Sequence, residues 1–384
     1  MEIAHYILFI SIVIFLYTWV GYPFVLFLMS RFYPIKDNDI FIEGSQVNSV
    51  SIVIAAYNEE TNIKERIKNI LELKIPDGTN LTLHIGSDGS NDKTIERIKA
   101  FNSKQIRIHE FARIGRASVH NSIIKEISDD VIVFTDAETV FQDNFLEKML
   151  DHFKNPDVGI VVGNLEYFES ENTTSRGEGI YWRYEKFIRQ QEEKCNVLSN
   201  ATGAAMAIRK NLYKEIRPHE DIDTALPIEV NKSGKKVIYA WDAIAFDRSL
   251  EDRTQIFRSK HRGISQTIAC WINRLNLSMI FTNPGLIHSF LFHRFFKAAS
   301  FILIIFIMIM TVLLHLISSS YITITLIFLE CSFISIFLIG TLSSYSNKIT
   351  LKPFEMVFDL VISLSGMSYG LIMGLLNRSP STYE

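Results

Sequence analysis

The chain has 384 residues, room for one large domain or two ordinary ones, and 48% of them are apolar, with a mean hydropathy above zero. That excess is concentrated in a few segments, which points to lipid rather than to a larger soluble core. A formal net charge of -3 and no long basic run argue against nucleic acid as a partner. Three widely separated cysteines, Cys195, Cys270 and Cys331, form no CxxC pair and supply no metal framework.

Ile3 to Met29 is almost unbroken apolar sequence, interrupted by His5 and small hydroxyl residues. At about 1.5 Å of rise per residue it crosses a hydrocarbon layer of roughly 30 Å even when tilted. A cleaved signal peptide would carry basic residues before a shorter apolar core and small residues after it. Here Met1 and Glu2 precede the run and Arg31, Phe32, Tyr33 and Pro34 follow, so residues 1–30 are expected to be a retained transmembrane anchor.

From residue 48 short β-rich runs alternate with helical stretches, the pattern of a parallel sheet with crossover helices, and an α/β domain is expected over residues 48–256. Strands are predicted at Val50–Ala55, Leu81–Gly86, Gln105–Glu110 and Val131–Thr135, and helices at Glu60–Leu73, Asp92–Phe101 and Ala117–Ile127. No GxGxxG follows the first strand and no GxxxxGK[ST] occurs, which sets aside nicotinamide- and flavin-binding Rossmann domains and P-loop NTPases. Open α/β sheets bind ligands beyond the carboxyl ends of their strands. Polar residues gather there: Tyr57-Asn58-Glu59 after the first strand, Asp88 after the second, Asp136 and Glu138 after the fourth.

In Ser87-Asp88-Gly89-Ser90-Asn91-Asp92 glycine permits a tight turn and Asp92 can cap the helix beginning at Lys93. Neither role accounts for Asp88, whose carboxylate can accept hydrogen bonds from a base or ribose. Arg116, within Arg113–Asn121, is badly placed for a helix dipole, so it reads either as an anion contact or as a solvated cation. Asp136-Ala137-Glu138 presents two carboxylates at a strand end, suited to a hard divalent ion such as Mg²⁺ or Mn²⁺ or, more blandly, to a loop or helix cap. A cation there would neutralise charge developing on a diphosphate leaving group. His219-Glu220-Asp221-Ile222-Asp223 precedes Ala225–Val230, a predicted helix; one carboxylate can act as general base, or the group merely complements the helix dipole.

Residues 257–297 include Ile264–Phe292, where apolar residues mix with Arg274, Asn276 and Asn283 in the manner of one or two interfacial helices. Three apolar runs, Ala298–Ile317, Tyr321–Leu342 and Val357–Leu376, fill residues 298–378. The last contains Asp359 and three glycines and reads as a span or a re-entrant element; Glu330, inside the run before it, reads as a functional carboxylate or as a protonated, helix-paired one. Arg31 and Lys36 follow the first span, Arg294 and Lys297 precede the second, and Lys348 and Lys352 separate the last two. The positive-inside rule then puts the N-terminus outside and residues 31–297 in the cytosol, in a multi-pass protein of the cell (inner) membrane.

In this order the clusters resemble the family 2 glycosyltransferases of the GT-A fold, above all membrane members such as cellulose, hyaluronan and poly-N-acetylglucosamine synthases and bacterial polysaccharide transferases. VIAAYNEE, Val53–Glu60, resembles the opening strand motif; SDGSND the D-D-G-S-x-D turn; GRASVHN the G-K-x-x-A-L-N segment; DAE the metal-binding D-x-D. NATGAAMAIR, Asn200–Arg209, is similar to the strand and turn of the acceptor floor, and Arg258–Arg262 to the arginine-bearing helix that contacts the diphosphate. The likeness covers about residues 48–270, and the layout of spans matches as well.

The resemblance implies a Rossmann-like GT-A cytosolic domain with flanking transmembrane helices. It implies that Ala55, Tyr57, Glu59, Asp88, Arg116, Asn121, Asp136 and Arg262 bind a nucleotide-sugar, a UDP-sugar first, with Asp136 and Glu138 on Mg²⁺ or Mn²⁺ and Thr202 and Gly203 on the acceptor side. Counted back from Gly234, Asp223 takes the place of the catalytic base, with Asp221 its rival. Attack from the face opposite the leaving nucleotide inverts the sugar, and the acceptor would be a saccharide or polyprenyl-linked group in surface polysaccharide synthesis, worked on beside membrane lipid. There are departures. Ser87 stands where the turn often has Asp, Glu138 replaces the second Asp, and Arg116 replaces Lys, keeping the charge but not its geometry. Ser259-Lys260-His261-Arg262-Gly263 keeps only the Arg of the processive Q-Q/R-x-R-W motif, and loss of its Trp favours adding one or a few sugars over extruding a chain. The substitutions also leave room for a non-catalytic, nucleotide-binding membrane subunit.

Overall fold

The computed structural model describes residues 2–32, 47–168, 173–248, 252–276, 278–345 and 351–380; Tyr33, Pro34, Lys36 and Lys348, used above, lie outside them. The strand-forming runs are β1 (Ser49–Ala56), β2 (Asn80–Asp88), β3 (Ile106–Phe111) and β4 (Val131–Thr135), all mutually parallel. Their centres are apolar on both faces because helices cover both, so Ile52, Leu83 and Val133 pair in one row with no solvent exposure. The crossovers are α3 (Ile63–Leu71), α4 (Thr94–Lys99) and α5 (Arg116–Glu126). The register sets the ends of β1, β2 and β4 side by side: Ala56 opposes Ser87, and Ile54 opposes Thr135.

Helix α3 starts three residues later than Glu60, because Glu59 and Glu60 belong to a turn laced to the loop after β2. The Glu59 N–H donates to Thr94 Oγ1 (2.8 Å), the Glu60 N–H to Asp92 Oδ2 (3.1 Å), and the Asn58 N–H to Ser90 Oγ (3.1 Å). Two separate loops thereby become one rim.

The sheet continues with β5 (Val140–Phe141), β6 (Val158–Tyr167), β7 (Met206–Arg209) and β8 (Lys236–Asp247), giving the order β3-β2-β1-β4-β7-β6-β8-β5. β7 is antiparallel to both β4 and β6, which makes the sheet mixed. Around this half lie α6 (Phe145–Asp151), α7 (Thr173–Lys194), α8 (Ile222–Lys232) and α9 (Arg253–Arg274).

The N-terminal run forms α1 (Glu2–Leu16) and α2 (Tyr22–Phe32) through one π-helical turn. After α9 come short helices α10 (Met279–Thr282) and α11 (Pro284–Ser289), a π turn at Phe290–Phe295 and α12 (Phe296–Ala298), then α13 (Ser300–Ile317), α14 (Tyr321–Tyr345) and α15 (Lys352–Leu375). Among the described residues, four helices, Glu2–Phe32, α13, α14 and α15, are long and apolar enough to cross a membrane. A buried ionic knot ties the first to the domain: His293 bridges Glu185 and Glu192, Lys297 pairs with Glu185, and the Tyr22 hydroxyl donates to Glu192 (2.6 Å).

α15 is one unbroken helix, not a re-entrant hairpin, and it is far more buried than the other three. The reason is α9. Its backbone runs against Gly366, Gly370 and Gly374, where an added Cβ would stand 2.9 Å from Phe257 O, 2.5 Å from His261 O and 2.8 Å from Ser265 O. Arg253 Nε closes one end of this seam on Asp359 at 2.5 Å. The first part of the segment expected to lie on the membrane face, the end of α9, is therefore packed between α15 and α8, with Ile268, Ala269, Cys270 and Trp271 buried.

Gly370→Val forces α9 away from α15 and is expected to lower the thermal midpoint of the detergent-solubilised protein, with an overpacking cost of about 1–3 kcal/mol. Gly263→Ala, on the same α9 with open space around it, is the control and should not lower the midpoint but raise it slightly, since Ala is favoured over Gly in a helix by about 1 kcal/mol.

Candidate active site

A cleft of about 430 Å³ opens at the carboxyl ends of β1, β2 and β4, within the roughly 300–1,000 Å³ of small-molecule sites. Ala55, Tyr57, Glu59, Asp88, Arg116, Asp136, Glu138, Thr202, Gly203, Asp223 and Arg262 all line it, whereas Asn121 and Asp221 do not.

Asp88 ends β2 almost fully buried. Its Oδ1 accepts from the N–H groups of Ile114 (2.7 Å) and Gly115 (3.0 Å), and its Oδ2 from Arg113 Nη1 (2.7 Å). It therefore shapes the loop that begins α5 as well as facing the cleft. Arg113 in turn lies 3.4 Å over the Tyr57 ring, making a flat cationic-aromatic wall. Gly115 has φ 86°, a left-handed conformation that suits glycine and aims the N-terminus of α5 at the cleft.

Arg116 pairs with Asp136 (2.5 Å). Carboxylates crowd this point. Burial raises the Glu59 carboxyl above its ordinary value, with Glu138, Asp136 and Asp92 adding to the effect against a hydrogen bond from Asn62. Burial and then Asp136 raise Glu138. Asp247, at the end of β8, is pushed up to about 7 by burial, with Glu138 and Asp136 contributing. Beneath them the buried Arg66 donates to Thr135 Oγ1 (2.7 Å), its own pKa lowered to about 9 by burial. Among the described residues no group of three or more His, Cys, Asp or Glu converges as a metal cage. Two carboxylates with surplus negative charge around them suit a hard divalent ion that takes its remaining ligands from phosphate and water.

Across the cleft, Asp223 lies against Gly203, whose N–H donates to its carboxylate; a Cβ on Gly203 would collide with Asp223 Oδ1. Burial raises the Asp223 carboxyl while Arg116 opposes it. Arg189 braces this wall, donating to Thr202 Oγ1 (3.0 Å) and the Tyr239 hydroxyl (2.9 Å).

Two expected assignments are corrected. Asn121 accepts from the Ile216 N–H (3.0 Å) and the Tyr213 hydroxyl (2.6 Å) and donates to Ile216 O (2.7 Å), so it clamps the segment before α8 and lies outside the cleft. Asp221 is the N-cap of α8, accepting from the Thr224 N–H (2.7 Å), and burial followed by Asp223 raises its carboxyl to about 7. The residues missed are Arg113, Arg189, Tyr167, Ser259 and Asp247. Arg113 and Ser259 lie inside segments already marked, whereas Arg189, Tyr167 and Asp247 carry no local signal.

Residues 51–217 match the model of the family described as Glycosyl transferase family 2. The chain is 25% identical over 228 residues to a poly-beta-1,6-N-acetyl-D-glucosamine synthase of Staphylococcus epidermidis, covering 56% of this chain and 52% of that one. It is 27% identical over 166 residues to the synthase of the same name from Staphylococcus aureus strain COL, covering 43% and 40%. It thus spans about half or less of the length of these curated relatives. Among solved structures, a mannosyltransferase from Pyrobaculum calidifontis, in complex with GDP-Man and Mn²⁺, superposes with a TM-score of 0.70 over 97% of this chain and 99% of its own, at 15% identity. That shares the fold, helices included.

Asp88→Ala should weaken nucleotide binding about tenfold or more, worth about 1.4 kcal/mol. Asn121→Ala should instead cost about 1–3 kcal/mol of stability by leaving buried groups unpaired, with donor KM unmoved. Calorimetric titration with UDP beside thermal unfolding separates the two, and equal loss of UDP affinity in both would contradict the division.

Proposed function

We propose, for a chain that carries a family 2 glycosyltransferase domain over residues 51–217, an inverting transfer of sugar from a UDP-sugar to a hydroxyl of a saccharide or polyprenyl-linked acceptor in surface polysaccharide synthesis. The observation that carries this reading is that Asp223 shares one cleft with Asp136 and Glu138. A base and a diphosphate-neutralising pair thus face one volume from opposite walls. The names of the staphylococcal relatives support a polysaccharide product. The GDP-Man and Mn²⁺ held by the archaeal mannosyltransferase support the donor class and the metal.

Asp136 and Glu138 would hold Mg²⁺ or Mn²⁺, which supplies charge neutralisation for the departing diphosphate. Tyr57 and Arg113 offer a face for the nucleoside base, and Arg116 and Arg262 offer cations to the phosphates. Thr202 and Gly203 seat the acceptor beside Asp223, whose carboxylate takes the proton as the hydroxyl oxygen attacks C1. One displacement from the face opposite the nucleotide inverts the centre. The four candidate spans and the basic residues beside them support a multi-pass protein whose catalytic domain lies at the cytosolic membrane face.

Product length on a gel tells addition of one or a few sugars, the outcome the missing Trp beside Arg262 favours, from processive synthesis. Asp136→Ala and Asp223→Asn should each slow nucleotide release from membranes by about 10²-fold or more. Chelation should abolish release, and Mn²⁺ or Mg²⁺ restore it. Unchanged rates in both variants defeat the reading. Because burial raises the Asp223 carboxyl, the base protonates and activity falls as pH drops through a value above the ordinary aspartate range.

A further inference from the structure

A second, smaller cavity lies behind Asp223. It holds about 50 Å³ and is lined by His120, Arg116, Glu220, Asp221, Asp223 and Arg262, among others. Arg116, Asp223 and Arg262 also wall the large cleft, so the two spaces meet at the candidate base. The size admits water and little else, since one water needs about 10–15 Å³ of such space and two to four polar partners. The partners are present. His120 is fully buried and, among the described residues, has no hydrogen-bond partner on either ring nitrogen, and Glu220 Oε1 is likewise unpartnered. Buried polar groups in that state mark places where ordered water completes the bonding.

The imidazole is held in place. α5 sets His120 one turn beyond Arg116, and its ring packs on Phe134 with centroids 5.1 Å apart. Burial, and Arg116 after it, disfavour the imidazolium, so the ring is neutral and presents one donor and one acceptor. The charged groups facing the chamber are Arg116 on its own helix, Glu220, Asp221 and Asp223 from the segment opening α8, and Arg262 from α9; Phe134 on β4 is apolar.

Building on the transferase reading, we propose that His120 is a positioning residue that holds ordered water in this chamber, and that this water carries the acceptor's proton away from Asp223. The balance is simple. The acceptor O–H bond breaks and its oxygen bonds to C1, while the C1–O bond to the diphosphate breaks and that electron pair leaves with the nucleotide. The proton passes to the Asp223 carboxylate, then to chamber water hydrogen-bonded to His120, then to solvent, and Asp223 is again a carboxylate. Donor and acceptor fill the large cleft during the reaction, which leaves the chamber as the route with room for water.

The test compares full-length His120→Leu and His120→Gln with the parent, following nucleotide release against pH in H₂O and D₂O, with thermal unfolding alongside. His120→Leu should unfold no earlier than the parent. Its kcat should fall about tenfold, a fraction of what a direct acid–base group contributes, with a larger solvent isotope effect and donor KM within about twofold. His120→Gln, which can hold a water, should recover kcat to within about threefold of the parent. Parental kcat and isotope effect in His120→Leu overturn the proposal. So do equal losses in both variants with the isotope effect unmoved, because that is a packing role. Asp136→Ala in the same assay keeps the two readings apart: if it stays active the transferase reading fails, whereas an inactive Asp136→Ala beside an unaffected His120→Leu removes only the relay.

Discussion

The close approach of α9 and α15 through three glycines determines where the edge of the sheet meets the apolar helices. α9 carries Ser259 and Arg262 into the cleft on one side and gives its backbone to α15 on the other. A side chain larger than hydrogen at Gly370 would open that seam. The same helix thus places a cation in the cleft and joins the α/β domain to its C-terminal helices. The Glu185–His293–Lys297 knot does the corresponding work for the N-terminal helix, burying charges that are tolerable because each has a partner.

The cleft itself is organised by charge. On the rim of β4 and β8, burial first and the neighbouring carboxylates after it raise the carboxyls of Glu138 and Asp247, close to Asp136 and to the cations Arg66 and Arg116. On the opposite wall Asp223 is buried but addressed by the Gly203 N–H and by Arg116. Arg116 is therefore shared between the pair that suits a cation and the candidate base.

Much of the first half was legible. The strands β1 to β4 declared themselves as apolar runs ended by polar residues, because buried parallel strands need apolar side chains on both faces. The four regions of candidate spans were plain for the same reason of composition. The second half was not. β6 and β8 pair across 77–80 residues, and β7 runs antiparallel between β4 and β6; no local pattern encodes such long-range pairing. Arg189 and Asp247 reach the site only through it. Asp359 and the glycines of α15, which leave a span and a re-entrant element both open in the sequence, mark the face that meets α9.

The two corrected residues show a limit of matching motifs without asking which way they face. On α5 successive residues turn by about 100°, so His120 returns to within about 40° of Arg116 while Asn121 lies about 140° away. A helix that aims Arg116 at the cleft must send Asn121 elsewhere, and it goes to Ile216 and Tyr213. Asp221 and Asp223 divide in the same way. Asp221 has an extended backbone (φ -109°, ψ 156°) and spends its carboxylate on the first turn of α8, whereas Asp223 lies inside that turn and projects to the cleft. Capping and catalysis place opposite demands on one carboxylate, since the cap must stay bonded and the base must exchange its proton. Two aspartates two residues apart let the chain meet both.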